Sequence, residues 1–192
     1  MFELSLFDTG NLKQDLKFFK NDIREYAKRL KIEMPKTFPV VIGNEESVGK
    51  NILVITEPIT NKWFKSQEIT RTTNHVKTLF NDFFITSCYL IPKDRISVAD
   101  IKDFSLWITR LASLLRPKLI VILGEPAAHV FVRRKAIVKE NHGKRIATWK
   151  DIPIYLTYPM SYYYDRSEYE DTSYKDYIKN NDWSIFKTKF EE

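Results

Sequence analysis

The sequence predicts an α/β protein with a mainly parallel sheet and helices on both faces. The first observation is a set of apolar runs of strand length, NILVIT at 51–56, KLIVILG at 118–124 and IPIYLTY at 152–158. Such runs without polar alternation are typical of strands buried on both faces, which belong to parallel sheets. The second observation is that segments of helical periodicity alternate with these runs, as in α/β folds.

The first half of the chain alternates helical and extended segments. Residues 11–31 carry apolar side chains at three- and four-residue intervals, which predicts an amphipathic helix. Residues 38–43 predict a short extended segment ahead of the strand at 51–56, and residues 71–83 predict a second helix. The apolar positions of the first helix are Leu12, Leu16, Phe19, Ile23, Tyr26 and Leu30.

The middle of the chain repeats the alternation. Residues 82–92 contain the next predicted strand. Ser97 and Asp100 form a Ser-x-x-Asp capping pattern ahead of a helix that runs to about Leu115. The strand at 118–124 stops at Gly124, and another helix is predicted directly after it.

The last predicted strand, 152–158, precedes a tail whose residues 174–190 predict a helix. In open α/β sheets ligands bind outside the carboxyl ends of the strands. The loops expected to carry function are therefore 56–62, 87–92, 124–127 and 159–164.

Size and composition predict one domain over residues 1–192, with residues 1–37 as an N-terminal helical segment. No apolar run approaches the roughly 20 residues of a membrane span, and the first residues lack signal-peptide order. We therefore expect no membrane contact and a cytoplasmic location, in a bacterium or a virus-infected host. One cysteine, Cys88, excludes a disulfide within the chain, and the three histidines lack ligand spacing. No metal or cofactor is expected.

Charge is distributed unevenly. The net charge is +6, and residues 133–150 hold seven basic side chains against one acid, Glu140. Residues 165–182 hold six acids against three bases. The pattern predicts one positive and one negative face, and a positive face fits nucleic acid, although it is also typical of a solvated basic loop. The basic residues are Arg133, Arg134, Lys135, Lys139, Lys144, Arg145 and Lys150.

Several motifs occur in the order found in one enzyme family. They are VVIGNEESVGKNILVITEP, KLIVILGEPAAHVFV, the HGK turn at 142–144, Trp149 and IPIYLTYPMS. Over about residues 38–190 this order resembles the uracil-DNA glycosylase superfamily, with the prokaryotic iron–sulfur type as the closest. The resemblance implies a three-layer α/β/α sandwich with a central, mainly parallel four-stranded sheet. It also implies DNA binding at the strand ends, base flipping and N-glycosidic hydrolysis.

The first chemical motif of the family is altered here. Its Gly-Glu-Ala-Pro-Gly falls on residues 56–60, so Glu57 is the candidate catalytic carboxylate and Thr56 and Pro58 are candidate base-pocket residues. Threonines replace both glycines, and their Cβ atoms restrict close backbone approach. The family's base-reading asparagine falls on Ser87, whose single hydroxyl has less reach.

The second chemical motif, Tyr-His-Pro-Ser, falls on residues 158–161, and Pro159 stands where the resemblance places a histidine. The cysteines of an iron–sulfur cluster are absent, and Cys88 is not one of them. Trp63 and Phe64 are candidates for stacking on a flipped base, although spacing favours Ile69. The candidate DNA contacts are Gly124, Glu125, Lys144, Arg145, Pro159, Met160, Ser161 and Tyr162.

Three functions remain open at this point. The first is a DNA-binding protein of replication or repair, partnered by DNA and by a replication or repair protein, that lacks the family's uracil excision. The second is an active DNA glycosylase that uses Glu57 on uracil or another modified base. The third is a protein-interaction scaffold or inhibitor whose contact surface is the tyrosine-rich segment 161–177. The Lys-, Ile-, Asn- and Tyr-rich composition is typical of an AT-rich, phage-like genome.

Overall fold

A computed structural model describes residues 10–35, 40–46, 49–58, 68–164 and 172–192 of the chain. Strands and helices alternate through most of this part. The strands are β1 (Ile42–Gly43), β2 (Ile52–Thr56), β3 (Phe83–Ser87), β4 (Leu119–Leu123), β5 (Arg145–Trp149) and β6 (Ile152–Thr157). The helices are α1 (Leu12–Arg29), α2 (Glu68–Leu79), α3 (Val98–Leu115), α4 (Glu125–Ala128), α5 (Val138–Asn141), α6 (Met160–Tyr164) and α7 (Thr172–Glu191).

The six described strands form one sheet in the order β1-β3-β2-β4-β6-β5. The four inner strands, β3, β2, β4 and β6, are parallel, while the two edge strands are antiparallel to their neighbours. The expected mainly parallel α/β sheet is confirmed, but in the described part of the chain it has six strands where we expected four. We did not predict β5 because its exposed and half-buried residues, which begin with Arg145, were interpreted as part of a basic loop.

The strand residues face two separate apolar clusters, one on each side of the sheet. On one side α1 and α3 cover alternate residues of the inner strands, with Phe19, Leu53 and Ile122 among the buried members. On the other side α2, α6 and α7 cover the remaining residues, including Val54 and Trp183. Every residue of β2, β3 and β4 is buried, as expected for strands covered on both faces.

The helix boundaries follow the capping chemistry of the sequence. The predicted capping box is confirmed at the start of α3, where the Asp100 amide donates to the Ser97 hydroxyl over 3.2 Å and the Ser97 amide to the Asp100 carboxylate over 2.8 Å. The helix predicted at 71–83 runs instead from Glu68 to Leu79. No helix in the described residues combines the length and the apolar character needed to cross a membrane.

His75 predicts a pH dependence of stability. Burial, and to a lesser extent Lys179, lowers the pKa of His75 from 6.5 to about 4. The unfolded chain therefore binds an extra proton between these values, and stability is lost as the pH falls from 6.5 to about 4. Because the imidazole is partly exposed, we expect a loss of roughly 1–2 kcal/mol in urea unfolding. An equal pH slope in His75→Gln would contradict this origin.

Candidate functional site

A cleft of about 390 Å³ opens at the carboxyl edge of the sheet, where β2, β4 and β6 end. Parallel pairing brings these ends together, so residues distant in sequence share one wall. The lining residues are Glu57, Gly124, Glu125, Pro126, Val138, Tyr158, Pro159 and Tyr162. Three of the four predicted functional loops thus contribute to one cleft.

The backbone of Glu57 is fixed by hydroxyl groups from two strands. Ser87 Oγ donates to the Glu57 carbonyl over 2.6 Å, and Thr56 Oγ1 donates to the same oxygen over 3.2 Å. The Cys88 amide donates to the Thr56 carbonyl over 3.0 Å. Thr56 and Ser87 are buried, so these two of the predicted base-pocket residues hold the Glu57 backbone in place.

The Glu57 side chain lies directly against the backbone of Gly124. Gly124 has φ +86°, a conformation that disfavours any side chain. A Cβ atom at Gly124 would overlap the Glu57 carboxylate and its Cγ. The glycine retained after β4 therefore makes the room that brings the candidate catalytic carboxylate into the cleft.

Aromatic rings form a column along the cleft wall. Tyr158 and Tyr162 stack with centroids 4.1 Å apart and an interplanar angle of 16°. The ring centroid of His142 lies 5.5 Å from that of Tyr158, and the Lys175 ammonium lies 4.8 Å from the centre of the Tyr162 ring. Burial, followed by the neighbouring Tyr162, raises the pKa of Tyr158, so its hydroxyl stays protonated at neutral pH.

Behind this column lies a polar network that sequence reasoning missed. Asp182 of α7 is fully buried and accepts from Thr157 Oγ1 over 2.6 Å. His142 Nδ1 lies 3.0 Å from Asp182 Oδ1, and Tyr163 OH lies 2.8 Å from Thr157 Oγ1. Burial raises the pKa of Tyr163 well above its usual value. The His-Gly pair was visible in the sequence, but no signal linked it to an aspartate in the tail.

The basic residues of 133–150 are all exposed. The Lys135 ammonium lies 3.7 Å from the carboxylate of Glu125, which lines the cleft, so Lys135 stands at its rim. Lys144 Nζ donates to the Glu140 carbonyl over 2.8 Å at the end of α5. Arg145 begins edge strand β5 and pairs in register with Tyr155.

The Glu125 carboxylate, which lies near Lys135, also accepts a hydrogen bond from the Val138 amide over 3.1 Å and so caps the start of α5.

The remaining predicted site residues differ in their placement. Pro159 and Tyr162 line the cleft, and Ser161 is half-buried beside them. Met160 is fully buried, so a role as a wedge between bases would require it to leave the core. Pro58 is half-buried just after Glu57. Trp63, Phe64 and residues 165–171 of the tyrosine-rich segment lie outside the described residues.

The described residues contain no group of three or more His, Cys, Asp or Glu side chains that is arranged to hold a metal ion. Cys88 is a free, buried thiol whose pKa is raised by burial and, less strongly, by Glu57. The lining of the cleft supplies two carboxylates, Glu57 and Glu125, together with tyrosine side chains and backbone groups.

The contact between Glu57 and Gly124 predicts a strong coupling energy. Gly124→Ala should lower the free energy of unfolding by about 2–4 kcal/mol through backbone strain and overlap with Glu57. Gly49→Ala is the matched control, because Gly49 has φ +72° and open space around it. In a double-mutant cycle, Glu57→Ala should restore about 1–2 kcal/mol of the Gly124→Ala loss. Strict additivity in urea unfolding would contradict the contact.

Comparison of the chain with known proteins assigns no family. No protein-family model matches the chain, and no curated protein matches it. The resemblance to the uracil-DNA glycosylase superfamily therefore remains a prediction based on the motifs quoted above.

Proposed function

We propose that this chain is a DNA-binding protein of replication or repair that receives an unstacked nucleotide in the cleft without the family's uracil excision. The proposal includes a uracil-DNA glycosylase-like, three-layer α/β/α architecture. The observation that carries it is a set of exposed basic side chains between residues 133 and 145, beside a cleft at the carboxyl edge of a parallel sheet. That edge is the usual ligand site of open α/β folds.

The charges at the rim support a phosphate backbone as the ligand. Lys135 stands beside cleft residue Glu125, and Lys139 follows cleft residue Val138. Lys144 keeps two of its three ammonium hydrogens free of its bond to the Glu140 carbonyl. Phosphate contacts supply most of the affinity of non-specific DNA binding and do not require a specific base pocket.

The lining of the cleft favours a ligand that is a nucleobase with N–H groups on its edge. Glu57 is an acceptor when ionised, and carboxylates accept from base amino groups. Tyr158 and Tyr162 stack on each other, and Lys175 and His142 flank the pair. A base in this cleft would therefore meet the edges of tyrosine rings and the carboxylates of Glu57 and Glu125, which differs from a stacking pocket built for uracil.

DNA binding is tested by titrating a labelled oligonucleotide between about 50 and about 200 mM salt. We expect log K to fall linearly with log salt, and Lys144→Ala/Arg145→Ala to flatten the slope by about 1–2. The matched control is Lys50→Ala/Lys77→Ala, which removes the same charge from two exposed lysines. Lys50 lies just before β2 and Lys77 in the last turn of α2, on the side of the amino ends of the parallel strands. An affinity that does not change with salt concentration, or an equal loss of salt slope in both double variants, would overturn the proposal.

A second candidate function, N-glycosidic hydrolysis, is favoured by the fixed position of Glu57 in the cleft. A carboxylate there is suited to stabilise an oxocarbenium-like sugar or to take a proton from water. If this activity exists, abasic sites should accumulate in oligonucleotides carrying modified bases. Glu57→Gln should lower the rate on the order of 100-fold or more, while the exposed Glu33→Gln should leave it unchanged. No base release at high protein concentration would exclude hydrolysis and leave the binding proposal intact.

A further inference from the structure

Asp182 is a carboxylate held entirely inside the protein. Its side chain is 0% exposed, and His142 Nδ1 lies 3.0 and 3.2 Å from its two oxygens. Thr157 Oγ1 donates to one of these oxygens over 2.6 Å. A buried carboxylate is costly unless it is hydrogen-bonded, and His142 and Thr157 both supply hydrogen bonds that compensate the burial of Asp182.

This contact fixes the orientation of the His142 ring. When Asp182 is ionised it can only accept hydrogen bonds, so Nδ1 then donates and carries the proton. Nε2 is left on the opposite side of the ring and has no hydrogen-bond partner among the described residues. Nε2 is not among the buried unpaired atoms, and 25% of the His142 side chain is exposed. A second proton on Nε2 would therefore give an imidazolium whose exposed N–H is a donor.

The local chain is shaped to this contact. Gly143 has φ +70°, and a Cβ atom there would lie 2.7 Å from Asp182 Oδ1. The Gly143 amide donates to the Leu156 carbonyl over 2.8 Å, which holds the turn at the end of β6. His142 is therefore fixed at the edge of the sheet where the cleft opens, with its ring beside Tyr158.

The ammonium group of Lys144 lies at the same turn. Lys144 follows His142 by two residues, and its ammonium is bonded to the carbonyl of Glu140, two residues before His142. Lys144 is exposed and retains two donor hydrogens. Protonated His142 and Lys144 would together present charged donors beside the cleft, the combination that binds phosphate oxygens.

We propose that His142 and Lys144 form a titratable anion subsite that takes a phosphodiester group of the nucleic acid, with Asp182 orienting the imidazole. The inference rests on the proposed DNA-binding function. Binding of the phosphate and of the second proton of His142 favour each other, so DNA affinity is higher where the imidazole is charged than where it is neutral. The titratable groups in contact with this ring are Asp182 on α7 and Tyr158 after β6. Tyr162, Tyr174 and Glu125 act on Tyr158, and Lys144 bonds to the Glu140 carbonyl at the same turn.

The test is the salt dependence of oligonucleotide binding at about pH 5 and about pH 8, with a pH-insensitive fluorophore. One added phosphate contact at low pH should steepen the slope of log K against log salt by about 0.7–0.9. Affinity at low salt should rise on the order of 10-fold. His142→Asn keeps an amide N–H for Asp182 but lacks Nε2, so it should remain folded and lose both changes. If His142 had only a structural role, the slope of log K against log salt would not differ between the two pH values.

His129→Gln is the matched control, and His75 stays neutral over most of this range because its pKa lies at about 4. Equal wild-type slopes at the two pH values would overturn the subsite whether or not His142→Asn folds. A folded His142→Asn that keeps the pH-dependent slope would also overturn it, while salt-dependent DNA binding would survive both results. Absence of DNA binding at either pH would instead reject the proposed function and the subsite with it.

Discussion

The structure depends on one constraint, which is that the inner strands are buried on both faces. β2, β3 and β4 have no exposed residue, so their side chains are committed to packing along their whole length. Polar chemistry can appear only where these strands stop. Since the inner strands are parallel, their carboxyl ends meet at one edge, and Glu57, Gly124 and Tyr158 reach the same cleft from three strands.

The cleft also depends on a contact from the far end of the chain. Asp182 lies on the last helix, yet it bonds to Thr157 at the end of β6 and to His142 before β5. This buried carboxylate joins α7 to the sheet edge and sets the ring beside Tyr158. The hydrogen bonds of Asp182 therefore join the aromatic residues of the cleft wall to α7, so the position of α7 affects the geometry of the cleft.

The sequence predicts the repetitive part of this fold well. The apolar runs at 51–56, 118–124 and 152–158 became β2, β4 and β6, because burial on both faces leaves a continuous apolar signal. Edge strand β5 gave no such signal, since its outer side is exposed and it begins with Arg145. Sheet order and register were not predictable, because they depend on pairings between distant segments.

The candidate site was predicted in part. The glycine after β4 and the carboxylate after β2 were identified singly, but their contact depends on the side-by-side pairing of two strands. Met160 directly follows the cleft residue Pro159 in the sequence, but its side chain is buried in the core at the start of α6. The bond between His142 and Asp182 joins residues that are 40 positions apart, so no local pattern reveals it.

Binding of a nucleic acid at the carboxyl edge of the sheet, the function proposed above, is tested most directly by amide chemical-shift mapping of the labelled protein with a short single-stranded oligonucleotide. Shifts should concentrate at Glu57, Gly124, Tyr158 and Tyr162 and along 133–145, and should spare the opposite edge around Lys50 and Lys77. Shifts centred on that opposite edge, or no shifts at saturating oligonucleotide, would contradict it.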